Sequence, residues 1–264
     1  MSKKLFIFFL SFVLIFSFAG CELNKENASP QTIGDIAYDV NSKEDYRIYL
    51  QEGTEYVPYL VLTNNYNEES VCLLLREFLL EENKEYNRRA ENSAYYQDSN
   101  IDKYLNNEFY NSFSEKDKSL MINCSIEVTI PRRENQKTEK NASLMTETIN
   151  IRRKVFLLSY TEMGGGVHNQ IPIEGVTLKY FDNPKKKIAE NEGEGASFWW
   201  LRTPNFVDKD CVSIVTENGV LSSINIYEKT GPHFEGVRPA IAVSPDVKIT
   251  KEVVNNKEIY VMTK

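Results

Sequence analysis

Trp199-Trp200-Leu201-Arg202-Thr203-Pro204 and, nearer the C-terminus, Gly236-Val237-Arg238-Pro239-Ala240 each set an arginine in an apolar run just ahead of a proline. A guanidinium in such a run is costly unless carboxylates or carbonyls meet it inside the fold. Arg202 and Arg238 are therefore expected as buried ties that hold loops, with loop carbonyls or an acid such as Asp208 or Asp210 as partners. The other use of such an arginine is bidentate capture of an anionic ligand. If the first segment is a strand, Trp199 and Trp200 point to opposite faces. Trp200 is expected in the core, and Trp199 is the candidate to face a ligand, where an indole stacks on a sugar ring.

Outward from these segments the chain reads as sheet with a few helices. Tyr46 to Leu50 and Tyr56 to Thr63 are β-branched and aromatic runs bounded by Gly53 and by Asn64-Asn65, and Val71 to Leu75 is continuously apolar, as in a central strand. Ser99-Asn100-Ile101-Asp102 has the form of a capping box, with Ile101, Tyr104, Leu105 and Phe109 recurring at helical spacing; a second, shorter helix is expected from Ser114. Ser125 to Ile130 and Ile151 to Leu158 read as strands joined by a polar excursion over Pro131 to Thr146. From Thr161 to Gly195, glycines, prolines and Lys185-Lys186-Lys187 break the pattern into a long loop region, a form that tends to be functional. Asn218-Gly219 and Asn255-Asn256 mark hairpin turns near the end. The expected class is α+β, with a mixed, mostly antiparallel sheet and two short helices.

The two arginine segments, together with Leu105-Asn106-Asn107-Glu108-Phe109-Tyr110 and Val155-Phe156-Leu157-Leu158-Ser159, resemble the ordered motifs of a large bacterial domain family of unknown function found on surface and secreted proteins. The likeness spans roughly Tyr59 to Val243. That family is similar in turn to C-type-lectin-like and formylglycine-generating-enzyme-like folds, so the resemblance implies a C-type-lectin-like core. It does not extend to their chemistry. Asp182-Asn183-Pro184 and Trp200-Leu201-Arg202 match neither lectin calcium motif, and Cys211 alone stands where the oxidases need two cysteines for copper.

The N-terminus gives an address. Lys3 and Lys4, an apolar stretch from Leu5 to Phe18 and then Ala19-Gly20-Cys21 form a lipoprotein export signal, so residues 1–20 are expected to be removed and Cys21 lipidated. Residues 21–45 are polar with few apolar positions and are expected to form a flexible tether. Residues 46–264 are expected to form one domain on the extracytoplasmic face of the membrane. Removing residues 1–20 takes away two lysines and no acid, moving the net charge from −7 to −9. An acidic surface disfavours nucleic acid, leaving the lipid on Cys21 as the contact with the membrane.

Chemistry-bearing motifs are few. Cys72, Cys124 and Cys211 are an odd set, read as buried thiols with one disulfide left open. No Cys-x-x-Cys, His-Glu-x-x-His, Gly-x-Ser-x-Gly or phosphate-loop pattern is present, and no cofactor or metal is implied. Glu190, Glu192, Glu194, Asp208 and Asp210 could offer oxygens to calcium, but their spacing is not that of an EF-hand. Trp199, Asp208, Asp210 and His233 are the candidate ligand-binding residues, on the surface formed by the long loop with Asn205 to Asp210 and Lys229 to Glu235. The leading expectation is non-enzymatic binding of a glycan or surface protein. The alternatives are an envelope enzyme using His168 or His233 as acid and base, and a purely structural envelope protein.

Overall fold

Hydrophobic alternation and turn chemistry build the centre of the molecule. The computed structural model describes residues 30–41, 45–88, 94–131, 146–166, 171–205, 210–228, 231–232 and 234–264. Its main sheet runs in the spatial order Lys248–Val254, Lys257–Thr263, Arg47–Glu52, Glu55–Thr63, Cys72–Arg76, Ala240–Val243 and Val155–Phe156. Neighbours are antiparallel except Arg47–Glu52 and Lys257–Thr263, which are parallel through Tyr49 and Val261. Every residue of Cys72–Arg76 is buried, as a central strand covered on both faces requires. The hairpin between the last two strands turns on Asn255 and Asn256, both at positive φ (51° and 62°), the backbone that the tightest hairpin turns need.

A second, three-stranded antiparallel sheet comprises Trp199–Pro204, Cys211–Val215 and Leu221–Asn225, and Cys124–Pro131 pairs with Thr146–Arg153 as a separate ribbon. The fold is thus mixed and mostly sheet, with few helices. The first helix begins at Asn100, where Ser99 Oγ accepts from the Asp102 N–H, and passes through a π turn at Leu105–Phe109. The second, Glu115–Leu120, is capped by Ser114, whose Oγ accepts from the Asp117 N–H. Both caps satisfy amide groups that a helix start leaves open.

Two expectations are corrected. Part of the expected tether is fastened to the domain: Ile33, Ile36 and Ala37 are fully buried, and Thr32 bridges to Lys248 at the sheet edge. The Ile33 N–H donates to the Val247 carbonyl (2.9 Å), the Ile249 N–H to the Gln31 carbonyl (3.0 Å) and the Tyr38 N–H to the Val61 carbonyl (2.9 Å). Three apolar residues in a polar segment are enough to seat a 3-10 turn against the core. The long loop is also less open than its composition implies, because Glu174, Tyr180 and Phe181 are buried and 3-10 turns form at Lys179–Asp182 and Pro184–Lys187. Cys21, residues 1–29 and the excursion at 132–145 lie outside the described residues.

Candidate functional site

The two arginine segments form the molecule's internal frame. Arg202 has no exposed surface; its Nη1 and Nη2 donate to Glu162 Oε2 and Oε1 (both 2.7 Å), its Nη1 also to the Leu157 carbonyl (2.8 Å), and its Nε to the Glu127 carbonyl (2.9 Å). Glu174 Oε2 lies 3.7 Å from Nε and accepts from Thr203 Oγ1 (2.7 Å), while its Oε1 accepts from the Thr129 N–H (2.7 Å). Burial works to lower the Arg202 proton affinity, but the Glu162 charge and its hydrogen bonds hold that proton well above the usual range. Glu174, by contrast, is pushed upward, because burial outweighs the help of Arg202 and the two threonines.

Arg238 is held differently. Its Nε donates to the Arg76 carbonyl (2.9 Å), its guanidinium lies 5.4 Å from the Trp199 ring centroid, and its Nη1 is buried without a partner among the described residues. With no carboxylate in contact among the described residues, burial pushes it down to about 10. Among the described residues, then, Arg202 uses Glu162, Glu174 and the loop carbonyl of Leu157, Arg238 uses a strand carbonyl and an indole, and neither uses Asp210. Asp210 precedes the Cys211–Val215 strand, where its carbonyl accepts from the Ile226 N–H (2.8 Å).

Trp199 is also corrected. Both tryptophans are fully buried, Trp200 Nε1 donating to the Lys84 carbonyl (2.8 Å) and Trp199 Nε1 to the Lys187 carbonyl (3.2 Å). The strand is covered on both faces because Gly236 pairs beside Trp199 in parallel register, bringing Arg238 over the indole. His168, Asp208 and His233 lie outside the described residues. Cys72, Cys124 and Cys211 are free, so no disulfide joins the three.

A surface feature that collects polar groups lies elsewhere, between the first helix and the end of Thr146–Arg153. This cleft of about 430 Å3 is walled by Lys103, Asn107 and Tyr110 of the helix, by Asn123, and by Arg152, Arg153 and Lys154. A regular strand would send three consecutive side chains to alternate faces. Here the strand ends at Arg153 and the chain bends at Lys154, so all three reach the same cleft. Asp102, 2% exposed, fixes Arg153 with a two-pronged bond to Nε and Nη2 (2.7 Å each) and is itself steadied by the Asp98 N–H (2.9 Å) and Asn106 Nδ2 (3.1 Å). Hydrogen bonding to Asp102 also raises the Arg153 proton affinity, keeping it charged. Lys154 Nζ donates to Tyr110 Oη (2.6 Å) and lies 4.6 Å from that ring's centroid.

Asn106 explains its place in the helix motif. Its Nδ2 donates to the Val155 carbonyl (2.9 Å), and its Oδ1 accepts from the Val155 and Lys154 N–H groups (3.3 Å each). Val155–Phe156 is the outer strand of the main sheet, so the side-chain amide covers a free edge and fixes the floor of the cleft. The sequence reading missed this site, although Arg152-Arg153-Lys154 was its available signal.

A family model described as a domain of unknown function, DUF6273, matches residues 69–245. The chain belongs to DUF6273. No match was found among curated proteins or among solved structures. The DUF6273 segment contains the cleft, the Arg202 to Glu162 pair and both arginine segments, and it contributes Cys72–Arg76, Val155–Phe156 and Ala240–Val243 to the main sheet. The other four strands, Arg47–Glu52, Glu55–Thr63, Lys248–Val254 and Lys257–Thr263, lie outside the DUF6273 match, so flanking sequence completes the sheet. Among the described residues no group of His, Cys, Asp and Glu gathers as a metal ion would need, and no helix is long and apolar enough to cross a membrane.

Proposed function

We propose that this DUF6273 protein is a lipid-anchored domain on the extracytoplasmic face of the cell membrane, and that it binds a glycan or surface protein without transforming it. The anchor rests on Lys3, Lys4, the Leu5 to Phe18 stretch and Cys21. The observation that carries the binding role is the polar cleft, whose walls hold a half-buried, pre-oriented Arg153 beside Lys154, Asn107 and Asn123. Fixed donors on a rigid helix and strand end are what recognition needs. The strongly perturbed groups Tyr59, Tyr66, Tyr86, Tyr96, Glu174 and Arg202 are sealed in the core, away from any substrate. A distant kinship with C-type-lectin-like folds, which the closing Gly-Val-Arg segment supports, fits the same role.

The test has two arms. Cells fed a clickable palmitate analogue should label the wild-type protein and not Cys21→Ser; equal labelling would remove the anchor. Soluble residues 30–264 should bind members of a glycan and surface-protein array, with binding lowered by Lys154→Ala. Asp208→Ala and His233→Ala in the same assay test the loop residues named from sequence. An array with no ligand for the wild-type domain would remove the binding role.

A further inference from the structure

We infer that the ligand of the cleft is an acidic saccharide, its carboxylate or phosphate seated against Arg152, Arg153 and Lys154; this rests on the binding role proposed above. The charge is local and opposes that of the whole molecule. Four cations line the cleft, Lys103, Arg152, Arg153 and Lys154, against two acids, Asp98 and Asp102, in a chain of net charge −7. Both acids are turned onto Arg153, Asp102 at 2.7 Å and Asp98 at 3.8 Å. They therefore orient one cation; of the other three, Lys103 and Arg152 are exposed and Lys154 is half-buried against Tyr110. Arg152 donates only to the Asn123 carbonyl (3.2 Å), and Lys154 Nζ to the Tyr110 hydroxyl, among the described residues.

Arg153 is the built part of the site. Its Nε and one Nη2 hydrogen go to Asp102 and one Nη1 hydrogen to the Arg152 carbonyl (2.9 Å). Of the five N–H groups of a guanidinium, the remaining two make no hydrogen bond among the described residues, and the Asp98 carboxylate lies 3.8 Å from Nη2. Guanidinium N–H groups match the oxygens of a carboxylate or phosphate, and the exposed Arg152 presents them beside Arg153 in the same cleft. Removing either oxygen-binding cation should cost the charge-assisted bonds that set the affinity.

The rest of the wall argues for a sugar and against an acidic peptide. No aliphatic residue lines the cleft, so it offers no pocket for a peptide side chain. The neutral groups beside the cations are the amides of Asn106, Asn107 and Asn123 and the Tyr110 hydroxyl. Side-chain amides both donate and accept, which suits hydroxyls of unfixed orientation.

The experiment is calorimetric titration of residues 30–264 with polygalacturonate, glucose 6-phosphate, neutral dextran and poly-glutamate. The acidic saccharides should bind at least about tenfold tighter than dextran, lose affinity as salt rises, and lose at least about tenfold in the Arg152→Ala/Lys154→Ala variant. Melting of that variant should match wild type, since neither side chain is a core tie; if it does not, Lys154→Gln alone provides the comparison. Dextran binding as well as polygalacturonate overturns the anion inference and leaves the binding role standing. Poly-glutamate binding in place of the saccharides overturns the choice of sugar. Acidic saccharide binding that both variants retain places the ligand elsewhere. Silence from all four probes overturns this inference; silence from the array as well overturns the binding role with it.

Discussion

Arg202 and Glu162 meet in a two-pronged ion pair, Nη1 to Oε2 and Nη2 to Oε1 at 2.7 Å each, with both side chains wholly withdrawn from water. Removing Glu162 leaves Arg202 with Glu174, 3.7 Å from its Nε, as its remaining carboxylate among the described residues. Glu162→Ala is expected to cost about 3–5 kcal/mol in urea unfolding, whereas Arg202→Met with Glu162→Leu together should cost less than either change alone. Equal or additive losses would show that the pair does not act as a unit.

Glu174 gives a pH signature. Its folded pKa is raised by burial above the ordinary value of 4.5. The folded state therefore holds this proton to higher pH than the unfolded chain. The contribution is fully present below the unfolded value and is lost as pH rises through the folded one. Glu174→Gln has no such proton, so the stability advantage of wild type over this variant should shrink as urea melts are run from pH about 4 to about 8. An advantage that stays constant or grows would contradict the raised value.

Gly236 opens the second arginine segment because the backbone of Phe198 and the side chain of Leu79 both press on it. Its N–H donates to the Phe198 carbonyl and its carbonyl accepts from the Trp200 N–H, both at 3.0 Å. A β-carbon there would lie 2.6 Å from Leu79 Cδ1 and 2.8 Å from the Phe198 oxygen. Gly236→Ala should lower unfolding stability by about 1–3 kcal/mol, and a neutral result would mean that the strand shifts freely.

Cys72 and Cys124 are buried thiols pushed up to about 12 by desolvation. They should resist iodoacetamide in the native protein and react at the rate of unfolding, while half-buried Cys211 reacts first. Rapid native labelling of Cys72 or Cys124 would show that the core around it opens.

Much of the frame was legible in single stretches. Ser99 and Ser114 announced both helices because an N-cap acts over three residues, and Asn255-Asn256 announced the last hairpin because a turn is equally local. Arg202 and Arg238 were legible as buried, since their neighbours are apolar. Their partners were not: Glu162 and Glu174 stand in loop-like sequence among glycines and prolines, and burial there arises from distant chain. Trp199 was misread for the same reason, because the segment carrying Gly236 and Arg238 covers its outer face. The cleft was hidden by a bend at Lys154, which alternation along a strand cannot foresee. Ile33 and Ile36 were submerged in a polar average, although two or three buried side chains decide where such a segment goes.

The bonds from Gln31 and Ile33 to Val247 and Ile249 have a mechanical consequence. Tension arriving along the chain at Pro30 meets the Lys248–Val254 edge before it reaches the first strand in sequence, Arg47–Glu52. The load is borne by the closing hairpin, which lies outside the family match. The closing hairpin thus fastens the Gln31 to Ala37 segment to the sheet, and clipping it would free that segment from the edge.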